Sequence, residues 1–118
     1  MTHKLMPDPD EISENRNRRF ISDKELEEIL RQHEKWVESE EEKGERADLS
    51  RVDLSTANLR RADLRGANLH RANLRMADLL EADLSMTDLL EADLTGADLT
   101  GADLRWSRLS RANLAGAV

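Results

Sequence analysis

Side-chain oxygens recur at a fixed step along this chain, and that row is the first place where chemistry could be sought. From Asp48 to Asn113 an Asp or Asn stands at every fifth position except one, where Arg108 replaces it. Such a row could hold calcium, as in calcium-binding solenoids, or could bond backbone N–H groups wherever the chain turns. The Gly-Gly-x-Gly-x-Asp loops of calcium solenoids do not occur. The row therefore reads as structural, and no metal site is expected. Arg108 is expected to form an ion pair with Asp88, which lies twenty residues earlier.

Other reactive residues form no catalytic set. The chain has no Cys and no Tyr, and its three histidines (His3, His33 and His70) are widely spread. Ser50, Ser55, Ser85 and Ser110 have no adjacent base that would make any of them a nucleophile. No Gly-rich phosphate loop or metal-ligand cluster appears, so no cofactor is expected and the chain does not read as an enzyme.

The elements that carry these residues follow from a second row. Leucine falls at every fifth position from Leu49 to Leu114, fourteen times without a break, and two residues before each leucine sits a small residue. On an α-helix, at about 100° per residue, leucines five apart would scatter around the axis. On a flat strand, consecutive leucines would alternate faces. All fourteen can share one interior only if the chain turns a corner in every unit. Four corners close a square of twenty residues, and successive squares stack about 4.8 Å apart as parallel pairs. Parallel crossovers prefer the right hand. The small position must stay small because four walls converge on a narrow interior; Val52, Thr87 and Ser107 are its departures from Ala.

The tandem Ala-Asp/Asn-Leu-x-x pattern, as in Ala62-Asp63-Leu64 and Ala72-Asn73-Leu74, resembles the pentapeptide-repeat family over Ala47–Val118. The resemblance implies an all-β solenoid: a right-handed quadrilateral β-helix of about 3.5 coils. Leucine and the small residue would face inward and the other three positions outward.

Three segments are expected: a flexible arm over residues 1–20, an α-helix over 21–45 and the β-helix over 46–118. Ser22 suits an N-cap, with Glu25 completing a capping box and Ile21 and Leu26 a hydrophobic staple. Leu26, Ile29, Leu30, His33, Trp36 and Val37 follow one helical face, and Gly44 offers a stop. This helix is expected to fold over Leu49 and Leu54 as an N-terminal cap, its contacts made by Leu26, Leu30, His33 and Val37. The start lacks an apolar signal region and no stretch reaches membrane-spanning length, so a cytoplasmic protein with no membrane partner is expected, and the family resemblance implies a bacterial one. Net charge is −7, yet residues 47–118 carry nine basic against eleven acidic side chains. Direct nucleic-acid binding is disfavoured by the lack of a basic excess.

Stacking residues twenty apart writes out the outer walls. Arg71–Glu91 and Arg61–Glu81 become cross-coil pairs, and Gly66, Met86 and Trp106 form one column. Two partner surfaces are expected. One is an arginine belt for an acidic partner or phosphate groups, including Arg60, Arg61, Arg65, Arg71 and Arg75. The other is a set of outward apolar residues, Met86, Leu90 and Trp106. Leu114, Ala117 and Val118 could pair two copies end to end in a homodimer, because a last coil exposes an edge. The function expected is a rigid protein-interaction scaffold with a protein partner. The resemblance adds an alternative, since some members mimic duplex DNA, bind DNA gyrase and protect it from inhibitors. This chain departs from them in having only Leu at the central position, nearly neutral walls and a length of about 17 Å. A purely structural spacer or assembly subunit is the second alternative.

Overall fold

The computed structural model describes residues 18–118. The expected arm falls outside the described residues up to residue 17. Its last three residues do not behave as an arm. Arg19 forms a parallel bridge with Val52, donating its N–H to the Arg51 carbonyl and accepting from Asp53 N–H, both at 2.8 Å. Segment 18–20 thus covers part of the first coil's edge, which would otherwise leave backbone groups unpaired.

One helix follows, α1, Asp23–Glu38. The Ser22 hydroxyl accepts from Glu25 N–H at 3.1 Å, and Asp23 and Glu25 place negative charge in the first turn. The helix ends seven residues short of the expected boundary at 45. Ser39 caps it, Glu40 and Glu41 turn into the left-handed region (φ 57° and 73°), and Glu41 N–H bonds back to the Trp36 carbonyl at 2.7 Å. A run of three glutamates at a helix C-terminus opposes the dipole, and Ser39 offers its Oγ to Lys43 N–H at 2.8 Å instead. Gly44 serves the return rather than the stop. At φ 70° it passes so close to α1 that a β-carbon there would lie 2.2 Å from the Gln32 carbonyl oxygen. Ile21, Leu26, Ile29 and Leu30 pack against the buried core, and His33 is fully buried.

From Ala47 onward the chain is a repeat β-helix. Parallel bridges join Asp48 to Asn68, Asp53 to Asn73, Asn58 to Asp78 and Asp63 to Asp83, and the same twenty-residue register continues to Asn113. Each leucine from Leu49 to Leu99 donates its N–H to a carbonyl in the next coil (Leu64 to Asp83, 2.9 Å), and the row residues from Asn68 to Asn113 donate to the coil before (Asp83 to Ala62, 2.9 Å). Only single bridges form, not strands, because a corner every five residues leaves no longer run to pair.

All fourteen corners close the same way. The small residue donates its N–H to the leucine carbonyl three positions back, as in Ala62 to Leu59 at 3.0 Å. The residue before it is left-handed at every corner, from Arg51 (φ 61°) to Gly116 (φ 69°). That is the type II turn, which favours Gly at this place, yet ten of the fourteen are not Gly. Thr56 is the most costly because it is β-branched at φ 61°. Thr56→Gly removes that strain at an exposed site and is expected to raise stability by about 1 kcal/mol. Urea unfolding of the two proteins checks it; a lower midpoint for the variant would contradict it.

The interior is a column of leucines and small residues. Leu49 through Leu94 are all buried, with Ala67, Ala72, Ala77, Ala82, Ala92 and Ala97 between them. The departures from Ala fit: Val52 is fully buried, while Thr87 and Ser107 donate their hydroxyls to the Leu84 and Leu104 carbonyls, both at 2.7 Å. Burial thins toward the end, where Leu99, Leu104 and Leu109 are half-buried.

Candidate functional site

The oxygen row does backbone work. At thirteen of its fourteen positions the side-chain oxygen accepts the N–H of the residue two places on, at 3.0 to 3.2 Å. These bonds are made just before the corner, where the main chain leaves its pairing register. Ser50, Ser55 and Ser85 add their hydroxyls to the same carboxylates at 2.6 Å, so those serines are structural donors. Bonds of this kind favour the charged carboxylate. Arg105, through its side chain and its N–H, holds Asp103 at a pKa of about 2. Arg65 does the same for Asp63 in direction, and the Ser50 hydroxyl for Asp48. For Asp53 and Asp93, burial pushes the other way and is outweighed by Ser55 and Thr95. Among the described residues no three His, Asp or Glu side chains converge as a metal site requires.

Arg108 does not make the expected pair. Its backbone bridges Asp88, but among the described residues its side chain forms no ion pair. The Asp88 carboxylate instead accepts Leu90 N–H at 3.0 Å and lies 3.9 Å from His70 Nδ1.

The five arginines of the expected belt all sit in ion pairs: Arg60–Asp78 at 3.0 Å, Arg61–Glu81 at 3.1 Å, Arg65–Asp63 at 2.7 Å, Arg71–Glu91 at 2.8 Å and Arg75–Asp93 at 3.2 Å. They do not form one belt. Arg60 and Arg61 occupy one corner column and Arg65 the next, whereas Arg71 and Arg75 line a groove of about 870 Å³ on a third wall. Arg18 and Arg51 line the same groove, with Asp53, Ser55, Thr56 and Met76. Exposed ion pairs of this kind contribute little stability each.

The apolar residues also separate. Met86 and Trp106 share a corner column and are 67% and 76% exposed, whereas Leu90 is half-buried at a different corner. The Arg105 guanidinium lies over the Trp106 ring, 5.5 Å from its centroid, while also pairing with Asp103. Leu114 and Val118 are 42% and 77% exposed, and Ala117 is half-buried. At the other end, His33 Nδ1 accepts Ala47 N–H at 2.9 Å, and its ring stacks on Trp36 at 5.4 Å. Val37 is half-buried beside it in sequence on α1.

The repeat seen in this geometry is matched by a family model described as pentapeptide repeats, in eight copies over residues 47–85 and 77–116. The chain belongs to the pentapeptide-repeat family. It is similar to the solved pentapeptide-repeat protein Rfr23 of the cyanobacterium Cyanothece 51142, with 36% identity, a TM-score of 0.49, and coverage of 62% of this chain and 46% of Rfr23. HetL of Nostoc sp. strain PCC 7120, described as involved in heterocyst differentiation regulation, is 44% identical over 61% of this chain and 36% of HetL, with a TM-score of 0.39. Alr5209 of Nostoc PCC 7120 is 39% identical over 75% of this chain and 73% of its own, with a TM-score of 0.40. This chain thus spans less than half the length of Rfr23 and of HetL. No curated protein matches it significantly.

In this pentapeptide-repeat protein, the groove brings Arg18 and Arg51 beside Arg71 and Arg75. Arg51 was legible, because the twenty-residue register places it beside Arg71. Arg18 gave no signal, because it precedes the repeats and reaches them only through the Arg19–Val52 bridge. Among the described residues no helix is long and apolar enough to cross a membrane.

Proposed function

We propose that this pentapeptide-repeat protein is a non-enzymatic protein-interaction scaffold, a right-handed quadrilateral β-helix of about 3.5 coils closed at its N-terminal end by α1. Cytoplasmic residence is part of the same reading. The observation that carries it is the division of labour in each unit. Leucine and the small residue fill the interior, and Asp or Asn bonds the corner. The two remaining positions are left for display on a rigid grid. Those positions carry large groups that the fold does not use, including Met76, Met86 and Trp106, all more than half exposed. The family model that matches the chain is not a catalytic one, and Ser50, Ser55 and Ser85 already donate to carboxylates.

The gyrase-mimic alternative draws no support from walls on which arginines stand beside the carboxylates at every corner column described above. A pull-down from lysate of the native host tests the scaffold. The wild type is expected to retain a specific protein, and Trp106→Ala or the double variant Arg60→Glu/Arg61→Glu is expected to release it at least about tenfold more readily. Identical retention by the wild type and both variants would end this reading of the walls.

A further inference from the structure

We infer that the groove at the Arg51 corner is a docking site for an acidic, extended peptide segment of a protein partner. The inference rests on the scaffold reading and names the surface and the chemistry it would use. Two coils and the docked N-terminal segment build the site together. Arg19 pairs with Val52, which sets Arg18 at the level above Arg51, and the twenty-residue register sets Arg71 at the level below. All three guanidinium-bearing residues line one groove, with Arg75 on its far side.

Their charges are not equally satisfied. Arg71 is held by Glu91 at 2.8 Å and Arg75 by Asp93 at 3.2 Å, and Arg18 lies 3.8 Å from Asp53. Among the described residues Arg51 forms no ion pair or side-chain hydrogen bond, and the left-handed corner (φ 61°) turns it outward at an exposed position. One uncompensated guanidinium, flanked by two that are already paired, can take one carboxylate bidentately. Met76, 64% exposed in the same groove, offers apolar surface next to it. The occupant that fits is therefore a peptide with an acidic residue close to an apolar one. A nucleic acid fits poorly, because carboxylates interrupt the groove and the chain carries a net charge of −7.

Titration of the intact protein with a fluorescent glutamate-rich peptide containing one leucine tests the site. Arg51→Gln is compared with Arg108→Gln, which alters an exposed arginine outside the groove. Binding is expected to weaken about tenfold in Arg51→Gln and as the salt concentration rises, and to be unchanged in Arg108→Gln. Matching thermal unfolding curves establish that each variant is folded. No binding by the wild type, or equal loss in both variants, overturns the proposal. Equal or tighter binding of a single-stranded oligonucleotide overturns it in favour of a polyanion site. Displacement of the peptide by inorganic phosphate at equal concentration overturns it in favour of a simple anion site. A lysate partner held equally by the wild type and Arg51→Gln removes this groove and leaves the scaffold reading standing.

Discussion

Leu79→Ala is expected to cost roughly 3 to 5 kcal/mol of stability, the largest effect of any single substitution considered for this chain. Leu79 is fully buried in the central coil, and the register stacks it between Leu59 and Leu99. Truncation removes its transfer free energy and leaves a cavity that the walls cannot close. Ala77 and Ala82 beside it are already small, and the backbone on either side is pinned: Leu79 N–H donates to the Asp98 carbonyl at 2.8 Å and Asp78 N–H to Ala57 at 2.9 Å. A solenoid is also held only through neighbouring coils, so a weak middle coil uncouples the two ends. Denaturant unfolding followed separately by Trp36, on α1, and by Trp106, near the other end, should show the two transitions separating in the variant. Leu114→Ala, at a position 42% exposed, is expected to cost less than about 1 kcal/mol. Equal losses for the two variants would mean that the leucine column is not the continuous core described.

Acidification is expected to loosen α1 from the repeats through His33. The ring is fully buried and its Nδ1 accepts Ala47 N–H, so the neutral tautomer carries its proton on Nε2. Nε2 has no hydrogen bond of normal geometry, although the Arg65 carbonyl lies near enough to favour a proton there. Burial is the chief cause that lowers the His33 pKa, and the charges of Arg46 and Arg65 act with it. The Arg65 carbonyl and Asp63 oppose it and do not prevail. The folded chain therefore binds this proton less readily than the unfolded chain. Stability from His33 is complete above the ordinary histidine value of 6.5 and is lost progressively as pH falls below it. Protonation also removes the Nδ1 acceptor that Ala47 N–H uses. His33→Leu is expected to cost about 1 to 3 kcal/mol at pH 7, by orphaning that N–H, and to flatten the pH dependence just below 6.5. Trp36 fluorescence, which reports the stacked ring, and amide exchange at Ala47 measure this directly. An unchanged slope in His33→Leu would rule His33 out as the source. A separate loss follows at lower pH. Asp48, Asp53, Asp63, Asp93, Asp98 and Asp103 all have lowered pKa values, so their contribution is present above the ordinary 3.8 and fades as pH falls below it.

The repeat was legible because one local rule is written fourteen times. Period five forces a corner per unit, and the corner then assigns Leu and Ala inward and Asp or Asn to the backbone; the bridges and burial agree with that at nearly every position. Arg61–Glu81 and Arg71–Glu91 followed from the same register. The left-handed residue at each corner was not foreseen, because Arg, Met and Glu give no sign of positive φ where Gly would. Outside the repeats, nothing averages over errors. The end of α1 at Glu38 depended on a competition among Ser39, three glutamates and a return through Gly44.

By itself, then, the sequence determined the β-helical register, the leucine core and the corner bonds, since each depends on residues a few places apart and is repeated along the chain. The tertiary structure alone decided that Arg18 joins Arg51, Arg71 and Arg75 in one groove, that the remaining arginines disperse to other corners, and that His70 rather than Arg108 approaches Asp88. Those outcomes depend on which outward side chain meets which across coils, and on one backbone bridge from outside the repeats. No rule of spacing contains that bridge.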